Sequence, residues 1–266
     1  MQKQSGEKFL TAGFFMKSKY LVFFLSVLGT GIIWELISKY IGNDVIFPGL
    51  ISILQEIKLI ISKDTFFREI YSTFIRIFCA FLISMISSLI LGILSANFRV
   101  VRVFLKPQIS FIKYAPVIAM IVLVLIWFPK EVSPLVIGTV ISFPIFYDNI
   151  VGSINNIDPE IKKLINAFHI NKKDSVIKLY FPALMFNLAN IVSSVFGLIL
   201  KTVIAGEIYS QPKYGVGSGI LNEKLTLNTQ GIIAWIIIIV FFSFILDFAF
   251  RIFRNKVMFW RENGCL

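Results

Sequence analysis

The sequence predicts an all-α, polytopic membrane protein with six transmembrane helices. Of its 266 residues, 57% are hydrophobic and 28 are Phe, and the mean hydropathy is +0.82. This composition is too apolar for a water-soluble domain. The apolar residues also fall into long runs of roughly 18 to 25 residues, which is the length that a helix needs to cross a bilayer.

Six such runs define the predicted spans and divide the chain into an N-terminal tail (1–19), a transmembrane domain (20–250) and a C-terminal tail (251–266). A lysine-containing segment precedes the first run, as in a signal peptide, but the run is long and no small-residue cleavage site follows it, so we interpret it as an uncleaved span. The approximate bounds are Tyr20–Ile37, Tyr71–Ser95, Pro107–Phe128, Val132–Val151, Leu184–Ala205 and Ile232–Phe250.

The distribution of Lys and Arg predicts the orientation. If the N-terminus is inside, the cytoplasmic segments hold sixteen of these residues and the outer segments seven; 157–184 alone holds five of the sixteen. The positive-inside rule therefore places both termini and 157–184 in the cytoplasm. The basic residues required at the inner membrane face account for the net charge of +11, so no nucleic-acid partner is predicted. The lysines on that face can contact anionic membrane lipid.

The segment 157–184 is a basic polar island between two apolar runs. Asp158 and Glu160, with a Pro between them, form a typical helix start. The apolar face that follows ends at Phe168, a turn is predicted at 169–171, and a second helix runs up to Pro182. Such a helix pair either lies on lipid headgroups, which composition alone favours, or inserts into the groove of a soluble partner.

Three residues in or near the spans are candidate pathway or gate residues. Arg76 lies inside the second span, where a cation either snorkels to the surface or faces protein or water. Pro116 removes a backbone hydrogen bond and predicts a kink in the third span, as does Pro144 in the fourth. Glu207 ends the fifth span, either as a solvated carboxylate or as a functional acid, and Lys201 is too far around the helix to pair with it.

The region after the fifth span contains Gly215, Gly217 and Gly219, and we predict a flexible outer loop there. Its spacing matches neither a Walker A motif nor a dinucleotide fingerprint. The chain has no G-x-x-x-x-G-K-[ST] pattern and a single His, so we expect no ATP binding, no metal site and no cofactor. Two differently placed cysteines indicate no disulfide framework.

Short motifs recur along most of the chain, from about residue 30 to 250. They are Trp34-Glu35-Leu36 through Pro48, Ser72-Thr73-Phe74-Ile75-Arg76, Ala115-Pro116, Trp127-Phe128, Phe143-Pro144-Ile145, Ala205-Gly206-Glu207 and Tyr214-Gly215-Val216-Gly217. In order and spacing these motifs resemble those of the sulfonate/nitrate/taurine-type permease subunits of bacterial ABC importers. The same branch includes thiamine-precursor and riboflavin importers.

The island 157–184 is similar to the cytoplasmic "EAA" loop of these permeases. Counting back from Pro182, Lys163-Leu164-Ile165 occupies the place of Glu-Ala-Ala, and His169 the place of the signature Gly. The resemblance implies that this loop is a coupling helix which docks in a cleft of an ATP-binding subunit.

The resemblance also implies a type I importer fold in a bacterial inner membrane. The expected partners are two ATP-binding cassette subunits, a second permease subunit and an extracytoplasmic substrate-binding protein. The family has an Arg at the position of Arg76 and keeps an acid at the position of Glu207. An ATP-independent channel or carrier is the competing hypothesis, and a membrane-embedded enzyme is the third.

Overall fold

The computed structural model describes residues 3–157, 160, 167–168, 171–175 and 179–262, and no strand occurs among them. The prediction of an all-α fold is therefore confirmed. The described helices are α1 (Lys3–Ile41), α2 (Leu50–Ile61), α3 (Phe66–Asn97), α4 (Arg99–Tyr114), α5 (Val117–Trp127), α6 (Ser133–Asn155), the short α7 (Lys172–Ser175), α8 (Phe181–Ser210), α9 (Val216–Leu225) and α10 (Thr229–Glu262).

Five of these helices, α1, α3, α6, α8 and α10, are long and apolar enough to cross a membrane. The bent pair α4 and α5 gives a sixth span if it is counted as one. The first and last helices extend beyond the predicted spans into the two tails, since α1 begins at Lys3 and α10 continues to Glu262.

The third span is not the kinked helix that the sequence predicted. Between α4 and α5 the chain turns by 108°, and Ala115 and Pro116 both have extended backbone angles (ψ 134° and 129°). A residue before Pro avoids the helical region, and Pro itself donates no hydrogen bond. The helix therefore ends at Tyr114 and restarts at Val117. By contrast, Pro144 lies inside a continuous α6.

The first structural unit comprises the described residues up to 62 together with 223–235. Trp34 Nε1 donates to the carbonyl of Pro48 (3.0 Å), and the Glu35 carboxylate accepts from the Leu50 amide (3.2 Å). These bonds fix the turn between α1 and α2. Asn228 Nδ2 donates to Glu56 (3.0 Å), which ties the α9–α10 turn to α2.

The second unit comprises the described residues of 63–222 and those after 235. Its core is the mutual packing of α3, α6 and α8, with Ile77, Phe146 and Ile199 almost completely buried. Small residues permit the close approach: a Cβ added at Gly92 would lie 2.8 Å from Ile150 Cγ2. Small residues are common where membrane helices pack closely.

Gly138 provides a test of this packing. A Cβ at Gly138 would lie 2.8 Å from Val203 Cγ2 and 3.2 Å from Ala80 Cβ, so Gly138→Val forces three helices apart. We expect a loss of about 1–3 kcal/mol, the usual cost of overpacking, measured as a lower midpoint of thermal unfolding in detergent. Gly197→Val is the matched control, because no atom lies within 4 Å of its added Cβ; equal shifts would contradict the prediction.

Candidate functional site

A cluster of charged side chains lies inside the second unit, where α3, α8 and the segment before α6 meet. Arg76 Nη1 lies 2.8 Å from Glu207 Oε1, and Arg76 Nη2 lies 2.9 Å from Glu131 Oε2. The Arg76 side chain is 10% exposed and that of Glu207 is fully buried, whereas Glu131 is about half exposed. We call Thr73, Arg76, Glu131 and Glu207 the Arg76 cluster.

The buried carboxylate of Glu207 has three kinds of hydrogen-bond donor. Besides Arg76, the Thr73 hydroxyl lies 2.9 Å from both carboxylate oxygens, and the Gly217 amide donates to Oε2 (2.9 Å). The Thr73 oxygen in turn accepts from the Val216 amide (2.9 Å). Burial of a charge in a membrane protein is costly unless it is paired and hydrogen-bonded, and this arrangement meets both conditions.

The cluster also holds the chain between α8 and α9. Arg76 Nη1 donates to the Tyr214 carbonyl (2.7 Å), and Glu131 Oε1 accepts from the Lys213 amide (2.8 Å). The Tyr214 ring lies beside cations, and a hydrogen bond from Arg68 and the charge of Lys213 lower the pKa of its hydroxyl. One arginine and one glutamate thus fasten the segment that leads into α9.

The prediction of a flexible loop at Gly215–Gly219 is wrong. Val216–Leu225 forms α9, and both Gly215 and Gly217 are buried against Glu207. A Cβ at Gly215 would lie 2.7 Å from the Glu207 carboxyl carbon, and one at Gly217 would lie 2.5 Å from Glu207 Cβ. These glycines are needed for close approach rather than for flexibility.

The structure brings together two of the three predicted pathway or gate residues. Arg76 and Glu207, 131 residues apart in the chain, form one ion pair, so Arg76 does not snorkel and Glu207 is not a solvated carboxylate. Pro116 lies elsewhere, at the α4–α5 break. Sequence reasoning missed Thr73, although it lies in a stretch quoted for the resemblance, and missed Glu131, which no local pattern marks.

Two other polar contacts lie outside the Arg76 cluster. Asp247 and Arg251, four residues apart on α10, form an ion pair, with Arg251 Nε 2.8 Å from Asp247 Oδ2. Lys113 contacts Asp148 and so joins α4 to α6.

The predicted coupling segment is described only in part. Glu160 is exposed, Phe168 is 74% exposed, and Pro182 lies in the first turn of α8. Gly206 near the end of α8 packs against Pro134 and Ile137 at the start of α6, so the two helices are antiparallel and the ends that this segment connects lie on the same side of the core. The other candidate coupling residues, Asp158, Lys163, Leu164, Ile165 and His169, lie outside the described residues.

A model of the family of binding-protein-dependent transport system inner membrane components matches residues 88–259, which is more than half of the chain. The chain belongs to this family. It is a multi-span permease subunit of an ABC importer, and so works with ATP-binding subunits and a substrate-binding protein. The Arg76 cluster joins a part of the permease that precedes the matched region to helices within it.

Two relatives are similar to this permease over most of their length. An ABC transporter permease protein of Methanocaldococcus jannaschii, MJ0413, is 23% identical over 87% of this chain and 88% of its own. A protein named as the aliphatic sulfonates transport permease SsuC of Bacillus subtilis is 22% identical over 87% of this chain and 84% of its own. Of these two names, only the second states a transported solute.

The fold is similar to a solved chain of the MetNI methionine ABC transporter in an inward-facing conformation. The TM-score is 0.61 at 15% identity, over 73% of this permease and 96% of that chain. This likeness supports the type I importer architecture that the sequence predicted.

Proposed function

We propose that two copies of this permease, or one copy and a close homologue, enclose the translocation pathway of an ATP-driven importer for a small organic or inorganic solute. Two ATP-binding subunits dock on 157–184 and hydrolyse the ATP, since this chain has no Walker A pattern. Both termini lie in the cytoplasm, in agreement with the distribution of Lys and Arg. The polypeptide itself performs no covalent chemistry.

The observation that carries the docking proposal is the exposure of Phe168. This large apolar side chain is 74% exposed in a polar, basic segment that connects α6 to α8. An apolar anchor on a short helical insert is what the groove of a soluble partner accepts. The other residues that the resemblance assigns to the coupling loop would contribute to the same docking surface, namely Asp158, Glu160, Lys163, Leu164, Ile165, His169 and Pro182.

The proposed cargo is a sulfonate-, nitrate- or taurine-like anion, or a vitamin or vitamin precursor. The name of the Bacillus subtilis relative supports the first group. A substrate-binding protein would deliver the solute to the outer face, where the Arg76 cluster keeps the α8–α9 segment in place. ATP binding and hydrolysis would move the coupling segment and switch which side is open, with the break at Pro116 as a gate.

The test is copurification of the tagged permease with the products of its neighbouring genes in mild detergent. We expect a nucleotide-binding protein to accompany the native chain and Phe168→Asp to release it, because a charge would be buried in an apolar groove. Phe67→Asp is the matched control, since Phe67 is 75% exposed but lies at the start of α3, on the predicted outer side.

Three outcomes are distinguishable. Release by Phe168→Asp but not by Phe67→Asp supports docking on 157–184. Retention of the ATP-binding subunit by Phe168→Asp overturns that docking site. If the native permease purifies alone, an ATP-independent channel or carrier becomes the better explanation.

A further inference from the structure

A groove runs along the second unit between α8 and α10. Its volume is about 590 Å³, within the size range of small-molecule sites. Its walls are almost entirely apolar, formed by residues such as Phe196, Leu200, Ile239 and Phe250. Four polar side chains also line it, namely Ser193, Lys201, Ser243 and Asp247.

Lys201 is the polar group of this groove that has no observed partner. Asp247 is paired with Arg251 (2.8 Å) and contacts the Ser193 hydroxyl. Lys201 is exposed, and no hydrogen bond or ion pair joins it to any other residue that the structure describes. It lies six residues before Glu207, about 9 Å along the helix, so its ammonium group is attached well inside a membrane-spanning segment.

The same face of α8 is open around this lysine. Ser193, Gly197, Lys201 and Ala205 are spaced four residues apart and so form one stripe on the helix. Nothing lies within 4 Å of a Cβ added at Gly197. The aliphatic part of the Lys201 side chain therefore has free space beside it at Gly197, in a groove with apolar walls.

A cation within a span either snorkels to the surface or faces protein, water or a ligand, because an unpaired charge in lipid is expensive. Lys201 lines the groove, where a ligand can reach it. We infer that this groove is a solute-binding part of the translocation pathway, and that Lys201 binds the anionic group of a solute whose apolar body packs on α8 and α10. The inference rests on the proposed importer function and narrows its cargo to anions that carry an apolar portion.

The groove can be probed without knowing the cargo. In the assembled importer, with Cys79 and Cys265 replaced by Ser, a cysteine is introduced at Ser243. Its reaction rate is measured with an anionic reagent, sulfonatoethyl methanethiosulfonate, and with its cationic trimethylammonioethyl counterpart. The ratio of the two rates is normalised to that of Leu225→Cys, which is 73% exposed at the end of α9.

We expect Ser243→Cys to react faster with the anionic reagent than with the cationic one, relative to Leu225→Cys. The normalised ratio of anionic to cationic rates should fall roughly tenfold when Lys201→Gln is added, because the substitution removes a nearby positive charge from a poorly screened site. Lys224→Gln, beside Leu225, is the control for a general charge effect and should leave the ratio at Ser243→Cys unchanged. Butanesulfonate should slow the anionic labelling, whereas butanol should not.

Two results would overturn the inference while the importer function stands. One is an assembled complex in which Ser243→Cys reacts with neither reagent, which would mean that lipid or a second permease subunit covers the groove. The other is a ratio that Lys201→Gln leaves unchanged. Failure of the complex to assemble with its ATP-binding subunits counts instead against the proposed function, and is detected before labelling begins.

Discussion

Arg76→Leu is expected to lower the free energy of unfolding of the permease by about 3–5 kcal/mol, the cost of removing one partner of a buried ion pair. Glu207 would keep the Thr73 hydroxyl and the Gly217 amide but lose its only counter-charge among the described residues. The Tyr214 carbonyl would also lose its donor. The effect is measured by heating the protein in detergent and monitoring unfolding as the loss of monodisperse protein.

The matched control is Arg251→Leu, which breaks the exposed pair between Arg251 and Asp247. The side chains of that pair are 65% and 34% exposed, so the expected loss is below about 1 kcal/mol. A double variant, Arg76→Met with Glu207→Leu, should recover a substantial part of the stability, because no buried charge is then left unpaired. Equal losses for Arg76→Leu and Arg251→Leu would contradict the assignment of Arg76 to a buried cluster.

Gly217→Ala is expected to cost about 3 kcal/mol, the upper end of the range for overpacking. The added Cβ would lie 2.5 Å from both Glu207 Cβ and the Ile204 carbonyl oxygen. Because the second of these atoms belongs to the backbone of α8, no side-chain rotation relieves the overlap. α9 must therefore move away from α8, and Glu207 loses the amide of Gly217.

The effect of Gly217→Ala should be compared with that of Gly152→Ala on α6. The nearest atom to a Cβ at Gly152 is Asn156 Nδ2 at 3.9 Å, an ordinary contact, and Ala is a better helix former than Gly by about 0.5–1 kcal/mol. We expect Gly152→Ala to be neutral or stabilising in the same thermal assay. A neutral Gly217→Ala would show that α9 does not pack on Glu207 as described.

The spans were predictable because hydrophobicity is a local property of the sequence. Runs of apolar residues predicted the spans, and five described helices are long and apolar enough to cross a membrane. The pair of Asp247 and Arg251 was also predictable, since residues four apart meet on any helix. The angle at Ala115–Pro116 was not predictable, because a Pro within an apolar run indicates that the helix bends but not by how much.

The candidate site was only partly predictable. Arg76 and Glu207 were each marked as unusual by a charge in or at the end of an apolar run, but two interpretations of each remained open. Glu131 carries no such mark, because it lies in a short polar connection where an acidic residue is ordinary. The glycines before and within α9 were misinterpreted, since a Gly needed for close packing looks the same in sequence as one needed for flexibility.

The sequence by itself determined that this chain is an all-α membrane protein of the importer permease family, because span length, charge asymmetry and motif order are all written along the chain. Only the tertiary structure decided which charges that are distant in the chain meet. Arg76 and Glu207 are 131 residues apart, and Arg76 and Glu131 are 55 apart, so their pairing depends on how α3 and α8 pack. The same packing leaves Lys201 in an apolar groove without a partner among the described residues.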